Sequence, residues 1–357
     1  MYLAFENGIK ITLKTSLSLF FVLLGHFAFA QSIGGQSAYQ FMNIPTSARA
    51  SALGGFANAI DDGDVQLSIG NPSLLDSTQH LNLNLSYLNY FEGTNMGTVS
   101  MAFKPDSSKL TFMGGIQYLS FGAMDRIDAS GVELGTFNAG DYLFQGGVAL
   151  PMDSLWTIGA NMKAIYSNLA QYSSFAVALD ASALYSNPKR KFSASLMVRN
   201  LGQQVNSYTE VQDSLPLDVQ LSFVKQLKHA PFRFLITLDQ LQRWDLSYND
   251  PNFQEVTDPI TGETSGGVNF EFGDLLMRHV TIGTELLLSD NLHVRFGYNY
   301  RRRQEMKVGS KPGTAGFSWG AGMRIKRFHI SYARSTYHLA GASNQFSITS
   351  NLNDWRR

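Results

Sequence analysis

The sequence predicts an all-β protein: a transmembrane β-barrel of about fourteen antiparallel strands with an N-terminal plug segment. Apolar and polar side chains alternate over stretches of about ten residues, which is the length of a tilted strand that crosses a bilayer. The stretches are even in number, and the long connections occur only at alternate joints. A soluble sandwich has strands of about five or six residues and gives no reason for such an order of loop lengths.

The composition excludes several classes of protein. The chain of 357 residues has 28 Lys plus Arg and 28 Asp plus Glu, so it has no net charge with which to attract nucleic acid. It has no cysteine, which excludes disulfides, cysteine-ligated zinc and a thiol nucleophile. Beyond residue 30, no apolar run approaches the roughly 20 residues that a membrane-spanning helix needs. A helical membrane protein is therefore excluded as well.

Residues 1–30 have the pattern of a secretory signal peptide. Two lysines precede an apolar stretch at 17–29, and small residues stand where a signal peptidase reads the chain. We therefore expect the mature protein to begin at Gln31. An uncleaved anchor helix is the alternative, but the apolar core is short for a membrane span.

Residues 78–357 are predicted to form the barrel. In the stretch 156–166, for example, every second residue is apolar, and Thr157, Gly159, Asn161 and Lys163 make up the other face. Lipid outside and a polar lumen inside would produce this pattern. The fourteen strands are predicted to start near Leu81, Met96, Leu110, Asp141, Leu155, Tyr172, Lys191, Pro216, Phe232, Arg278, Asn291, Thr314, Phe328 and Gln345.

The predicted connections differ in length according to their parity. Joints from even to odd strands are short, whereas several joints from odd to even strands are long, at 121–140, 201–215, 242–277 and 301–313. Bacterial outer-membrane barrels have short periplasmic turns and longer extracellular loops. We therefore expect a location in the bacterial outer membrane, with the long loops extracellular and both termini periplasmic.

Two predicted hairpins place opposite charges inside the barrel. If Leu286 faces Val294, then Glu285 and Arg295 form a direct cross-strand pair in the lumen. If Leu179 faces Val198, then Asp180 lies diagonal to Arg199. These pairs are interpreted as charges that hold the lumen together, and a ligand site is the alternative.

Residues 31–77 do not follow the strand pattern. The segment is rich in Ala, Gly and Ser and ends near Asn71 and Pro72. A barrel of about fourteen strands leaves room for a lumen, so a segment of this size before the first strand is interpreted as a plug. A periplasmic tail is the alternative.

Short motifs in this segment resemble those of a known family. Gly34-Gly35-Gln36-Ser37-Ala38-Tyr39-Gln40-Phe41, Asn43-Ile44-Pro45-Thr46-Ser47-Ala48-Arg49, Ala52-Leu53-Gly54-Gly55 and Asn71-Pro72 look like the N-termini of PorQ-like proteins. These are outer-membrane components of the Bacteroidetes type IX secretion system, similar in fold to PorV and to FadL-type fatty-acid transporters. The resemblance implies a plugged barrel that holds a PorZ-like surface protein within machinery that attaches cargo to lipopolysaccharide.

Several short segments match enzyme or metal-binding motifs, but their residues lack the arrangement that those sites need. Ser186–Lys189 and Ser222–Lys225 match the S-x-x-K box of penicillin-binding proteins and 289–291 matches S-D-N, but proline or strand geometry separates each Ser from its Lys. The acidic run 61–64 lacks the ligand spacing of an EF-hand and is interpreted as a solvated turn. We therefore predict no enzyme activity, no metal and no cofactor.

Three functions are considered. The first is an anchoring barrel whose outer loops bind a surface protein, and the second is a FadL-like channel for hydrophobic small molecules. The third is a hydrolase, which lacks a credible catalytic constellation. The long loops carry aromatic and basic side chains of the kind that protein interfaces use, namely Arg126, Trp244, Tyr248, Phe253, Arg301, Arg302 and Arg303.

Overall fold

The computed structural model describes residues 37–128, 130–247, 256–257, 264–265, 271–306, 313–338 and 341–355. The predicted signal peptide, the first residues of the predicted plug, Tyr248 and Phe253 lie outside these ranges.

In the described residues, fourteen strands form one closed antiparallel barrel in which each strand pairs with its sequence neighbours and the first pairs with the last. The strands are β1 (Asn82–Asn89), β2 (Asn95–Phe103), β3 (Thr111–Ile127), β4 (Glu133–Pro151), β5 (Trp156–Leu169), β6 (Tyr172–Asn187), β7 (Phe192–Asn206), β8 (Asp218–Gln226), β9 (Phe232–Leu238), β10 (Val280–Ser289), β11 (Leu292–Asn299), β12 (Phe317–Ile325), β13 (Phe328–His338) and β14 (Gly341–Asn351).

Thirteen of these strands start within four residues of the predicted positions, and the exception is β4. The predicted loop 121–140 is wrong, because β3 and β4 continue as a paired ribbon that leaves only 128–132 as a turn. Gly122 and Gly135 have positive φ angles, and a register shift lies between Ser120 and Ala123. Bulges of this kind use glycine, which gave the segment the composition of a loop.

The outward face of the barrel is apolar, as predicted. On β5, Trp156, Ile158, Met162 and Tyr166 are exposed, whereas Asn161 and Lys163 are buried inside. The register predicted for one hairpin is observed, since Leu286 pairs with Val294 and Glu285 with Arg295. The strands therefore present apolar side chains to the surroundings and enclose the polar ones.

The register predicted for the other hairpin is wrong. Leu179 pairs with Leu201, while Ala181 pairs with Val198, so Arg199 and Asn200 together face Asp180. Asn200 has a positive φ of 59°, a conformation that asparagine adopts more readily than most residues. This bulge in β7 removes the predicted diagonal between Asp180 and Arg199.

The plug, defined by residues 37–81, fills the barrel with short helices and irregular chain. It contains α1 (Ala48–Ala52), α2 (Val65–Ser68) and three 3₁₀ turns, Gln40–Asn43, Pro72–Leu74 and Ser77–Gln79. Ser37 bridges to Ser214 in the connection from β7 to β8, so the plug begins at the rim that carries the long connections and ends at the other rim, where β1 starts. The long-loop rim also bears α3 (Phe272–Arg278), α4 (Tyr300–Met306) and the strand pair Val256–Thr257 and Thr264–Ser265. No described helix has the length and apolar character of a membrane span.

Glycines on the inner wall allow the plug to approach the strands closely. A Cβ atom at Gly297 of β11 would overlap the backbone of Leu53 and Gly54, and one at Gly320 of β12 would lie 2.7 Å from Cβ of Ala52. Gly54 itself has a φ of 94°, which other residues rarely adopt. The Leu-Gly-Gly motif is therefore a docking element in which glycines of plug and wall face each other.

We expect Gly297→Ala to loosen the plug. The new methyl group needs the space that the Gly54 backbone occupies, and overpacking of this kind costs about 1–3 kcal/mol of unfolding free energy. Gly146→Ala on β4 is the matched control, because its Cβ would meet nothing within 4 Å. Limited proteolysis should cut the plug of Gly297→Ala faster than that of the control. Equal cleavage of both variants would contradict the docking role.

Candidate functional site

An apolar region lies inside the barrel below the long-loop rim. Inward side chains of β1 to β5 and residues of the plug pack together here, and we call this region the apolar seat. The prediction of a polar lumen is wrong here, because the inward-facing side chains of the wall are large and apolar. The apolar seat consists of Leu88, Met96, Leu119, Leu143 and Ile165 from the wall and Tyr39, Phe41 and Met42 from the plug.

The pairing between two wall strands ends early beside the apolar seat. Arg199 of β7 pairs with Asp218, the first residue of β8, so the part of β7 beyond Arg199 has no partner on the β8 side. The start of the plug covers this place, where the amide of Ala38 donates to the carbonyl of Ser214 at 3.0 Å. Tyr39 also hydrogen-bonds Ser174 on the inner face of β6.

A charge network holds the middle of the plug to the wall. Arg49 of α1 forms ion pairs with Asp64 at 2.8 Å, with Asp62 at 2.7 Å and with Glu285 of β10 at 2.9 Å. Arg295 of β11 pairs with Glu285 at 2.8 Å. Arg233 of β9 bridges Asp62 and Glu285, both at 2.7 Å. Three guanidinium groups therefore balance three carboxylates.

The acidic turn 61–64 is thus partly engaged in this network. Asp62 is exposed to solvent, as predicted, although it is also paired, and the interpretation as a solvated turn is wrong for Asp64, whose side chain is 7% exposed. Burial alone would raise the pKa of Asp62, but Arg49 and Arg233 outweigh it and hold that pKa below its usual range. Burial alone would lower the pKa of Arg49, but its three carboxylate partners raise it. Asp62 and Arg49 are therefore both charged at neutral pH, and a buried charge left without its partner would be costly.

Asn71 fixes the last part of the plug. Its side-chain oxygen caps the turn Pro72–Leu74 by accepting from the amide of Ser73 at 3.1 Å. Its side-chain amide donates to the carbonyl of Asn58 at 2.5 Å and to Ser195 of β7 at 2.9 Å. The Asn-Pro motif, predicted as part of the plug, therefore links the turn to the wall.

The second predicted charge pair has different partners. Asp180 binds Lys163 of β5 at 2.7 Å and accepts from the amide of Asn200 at 2.8 Å. Arg199 instead donates to the carbonyl of Met42 in the plug at 3.1 Å. Lys163 was predicted to lie on the inner face, but its ion pair with Asp180 was not predicted.

The predicted partner-binding residues have unequal accessibility. Arg126 is exposed on the β3–β4 ribbon, and Trp244 is 50% exposed. The basic run is engaged within the protein: Arg301 pairs with Asp239 at 2.7 Å, Arg302 lies 4.0 Å from the ring centre of Tyr337, and Arg303 donates to the carbonyl of Gly313. These arginines hold α4 to the rim.

Trp244 belongs to an apolar patch on the long-loop rim. Its ring centre lies 5.4 Å from that of Phe272, which is 69% exposed, and 5.6 Å from that of His279. Both ring nitrogens of His279 lie near backbone carbonyls, those of Asp239 at 2.7 Å and Trp244 at 3.1 Å. The buried histidine therefore positions the exposed tryptophan.

A vestibule of about 900 Å³ opens at the short-turn rim, and the acidic turn of the plug and Arg49 lie at its inner end. Among the described residues, no group of three His, Asp or Glu side chains has the arrangement of a metal site.

Comparison with known proteins identifies the fold. No protein-family model matches the chain, and no curated protein matches it. Among solved structures, the toluene transporter TbuX of Ralstonia pickettii aligns over 87% of this chain and 98% of its own, with a TM-score of 0.50 and 11% identity. The toluene transporter TodX of Pseudomonas putida aligns over 86% and 96%, with a TM-score of 0.51 and 10% identity. A FadL homologue of Pseudomonas aeruginosa aligns over 86% and 98%, with a TM-score of 0.47 and 11% identity.

The chain has the fold of TbuX and TodX. At 10–11% identity, the likeness concerns the fold alone. The resemblance to PorQ-like proteins and the predicted PorZ-like partner stay predictions.

We expect Glu285→Gln to destabilise the docked plug strongly. The substitution keeps the shape but leaves three arginines with one carboxylate fewer, and breaking a buried ion pair costs about 3–5 kcal/mol. Denaturant unfolding in micelles measures the effect. Lys109→Gln, a cation in the β2–β3 turn, is the control and should change stability by less than about 1 kcal/mol. A loss as small as that of the control would show that the network does not stabilise the protein.

Asp239 should give the protein a recognisable pH dependence. Burial raises the pKa of Asp239 to about 6, although Arg301 acts in the opposite direction. Between about pH 4 and that value, the folded state keeps a proton that the unfolded state has lost, so this group's contribution to stability falls as the pH rises. Thermal midpoints are compared at about pH 4.5 and about pH 7. We expect the part of the fall in stability that comes from this group to be absent from Asp239→Asn. A variant with the wild-type pH profile would contradict the assignment.

Proposed function

We propose that this protein is an outer-membrane barrel that takes up a hydrophobic small molecule and that it has no enzymatic activity. The observation that carries the proposal is the apolar seat, which lies inside the barrel below the long-loop rim. A general diffusion pore needs a polar lumen, whereas this region has a wall of Leu, Met and Ile side chains.

The plug residues of the apolar seat are suited to exchange with a ligand. Phe41 and Met42 are held there by apolar contacts, and an apolar ligand that replaced them would bury the same kind of surface. Such an exchange leaves the free energy of apolar burial nearly unchanged. The charge network around Arg49 has no comparable substitute, so we expect only the plug residues before Arg49 to move.

The fold is compatible with this function. TbuX and TodX, whose fold this chain shares, are described as toluene transporters. Fold does not establish function, and what this protein transports is a separate question. We therefore use toluene as the first probe, because it is small, apolar and uncharged.

We expect Phe41→Ala to raise the binding and uptake of radiolabelled toluene several-fold. The truncated side chain vacates part of the apolar seat, so the ligand no longer competes with the ring. Leu119→Glu should abolish both, because it places an unpaired charge in the same region. Phe346→Ala, on the outward face of β14, is the matched aromatic control. Circular dichroism and heat-modifiable migration on gels verify that each variant is folded.

The second candidate is an anchoring barrel that holds a surface protein such as a PorZ-like partner. The specific observation for it is the exposed patch of Trp244 and Phe272 on the long-loop rim, because aromatic side chains of this kind anchor protein interfaces. The resemblance of the N-terminal motifs to PorQ-like proteins favours the same function.

One crossed experiment separates the two candidates. The segment 251–267, most of which lies outside the described residues, is deleted in the wild type and in Phe41→Ala, and both toluene uptake and retention of surface proteins are measured in cells. If the protein is an anchor, the deletion should release the surface partner and Phe41→Ala should leave its retention unchanged. A channel responds to Phe41→Ala and keeps that response after deletion. Uptake no greater than in cells lacking the protein would refute the channel.

A further inference from the structure

The short-turn rim carries an uneven distribution of charge. On one side, the turns after β6, β8 and β12 and the end of β12 carry seven cations, interrupted by Asp290 in the turn after β10: Lys189, Arg190, Lys191, Lys228, Arg324, Lys326 and Arg327. We call these residues the basic arc. On the opposite side, the turns after β2 and β4 carry Lys104 and Lys109 against Asp106 and Asp153. The protein as a whole has no net charge, so the asymmetry is local.

The basic arc borders the vestibule of about 900 Å³. Lys191, Lys228, Arg324 and Arg327 line it, together with the carboxylates of Asp290 and Asp354. The other charged groups of its lining, those of the plug and Arg233, neutralise each other within the charge network. The vestibule therefore has an excess of positive charge, and the imidazoles of three histidines, His229, His293 and His329, lie among these cations.

The four lining cations are not paired with any carboxylate that the structure describes. Within the described residues, none of them forms an ion pair, and Arg327 instead lies 5.1 Å from the ring centre of Trp355. Like charges held around one opening repel each other, and low-dielectric walls focus their field into it. A negatively charged occupant would relieve this repulsion.

The dimensions indicate an acidic polypeptide. Small-molecule sites occupy about 300–1,000 Å³, so the vestibule has room for several residues, and its four cations come from three different hairpins. Carboxylates along an extended chain recur at about 3.3 Å per residue and are able to contact several turns at once. Lipid phosphates fit less well, because Thr349 and the plug residue Val65 also line the space, which places it inside the wall.

We propose that the vestibule at the short-turn rim binds an acidic, extended segment of a partner protein. This binding site is independent of the apolar seat, because the charge network lies between the two. It gives the barrel a docking function at the end opposite to its long loops.

The test measures fluorescence anisotropy of a labelled Glu/Gly octapeptide with the full-length mature protein in uncharged micelles. We expect the Glu/Gly peptide to bind and a Lys/Gly peptide of the same length not to bind. Raising the ionic strength from about 0.01 M to about 0.15 M should weaken binding several-fold, because the shorter Debye length screens the attraction.

Charge reversal locates the binding site. Lys228→Glu with Arg327→Glu should weaken binding of the Glu/Gly peptide at least tenfold, and Lys109→Glu on the opposite side of the rim should change it less than twofold. Both variants should keep the thermal midpoint and toluene uptake of the wild type, which separates this proposal from the proposed transport.

Three outcomes would overturn the proposal. The first is that the Glu/Gly peptide does not bind at low ionic strength. The second is that both variants lose peptide binding equally, which would indicate attraction by the electrostatic field of the whole protein. The third is binding to anionic phospholipid vesicles that the double charge reversal abolishes while the peptide remains unbound. That result would assign the basic arc to the membrane surface.

Discussion

The position of the plug depends on the carboxylate of Glu285. It accepts hydrogen bonds from Arg49 of the plug, Arg233 of β9 and Arg295 of β11, and it is 1% exposed. In such surroundings each charge is tolerated only because its partners are present. The plug and two strands of the wall are therefore coupled: none of them can shift alone without leaving a charge uncompensated. The glycine contacts of α1 and the cap at Asn71 place the remaining plug residues around this fixed point.

The plug consequently has two parts with different energetics. From Tyr39 to Met42 it is held by apolar contacts, whose free energy another apolar group could replace, and by hydrogen bonds of the Tyr39 hydroxyl and the Met42 carbonyl to the wall. From Arg49 onward it is held by ion pairs, by hydrogen bonds to strand side chains and by close backbone packing. These interactions depend on direction and distance, so no foreign molecule reproduces them easily. A ligand that enters from the long-loop rim thus meets a replaceable section first and a fixed section below it.

The sequence predicts the strands well because lipid on the outside and the lumen on the inside select different side chains, so polarity alternates from one residue to the next along each strand. It also predicts the pair Glu285–Arg295, since a cross-strand register is a local property of one hairpin. It fails where one extra residue shifts the register: the bulge at Asn200, which has a positive φ, leaves Asp180 paired with Lys163 and Arg199 bonded to the plug. It also fails for contacts that only closure of the barrel creates. Arg49 and Glu285 are 236 positions apart, and no local pattern links an arginine in a plug to a strand on the far side. The apolar seat was missed because inward positions were assumed to be polar.

The fixed section of the plug limits what either function can be. A hydrophobic molecule that displaced Phe41 would advance only as far as Arg49, because further movement of the plug would break the ion pairs of Arg49 with Glu285 and of Asp62 with Arg233 in a medium that screens charge poorly. Beside the apolar seat, however, the strand pairing has a gap, since β7 has no β8 partner beyond Arg199. Under the proposed transport function, a route past this gap in the strand pairing would avoid the charge network, whereas a route through the vestibule would have to pass it. An anchor needs no route, and for it the same charge network would keep the barrel rigid under a bound partner.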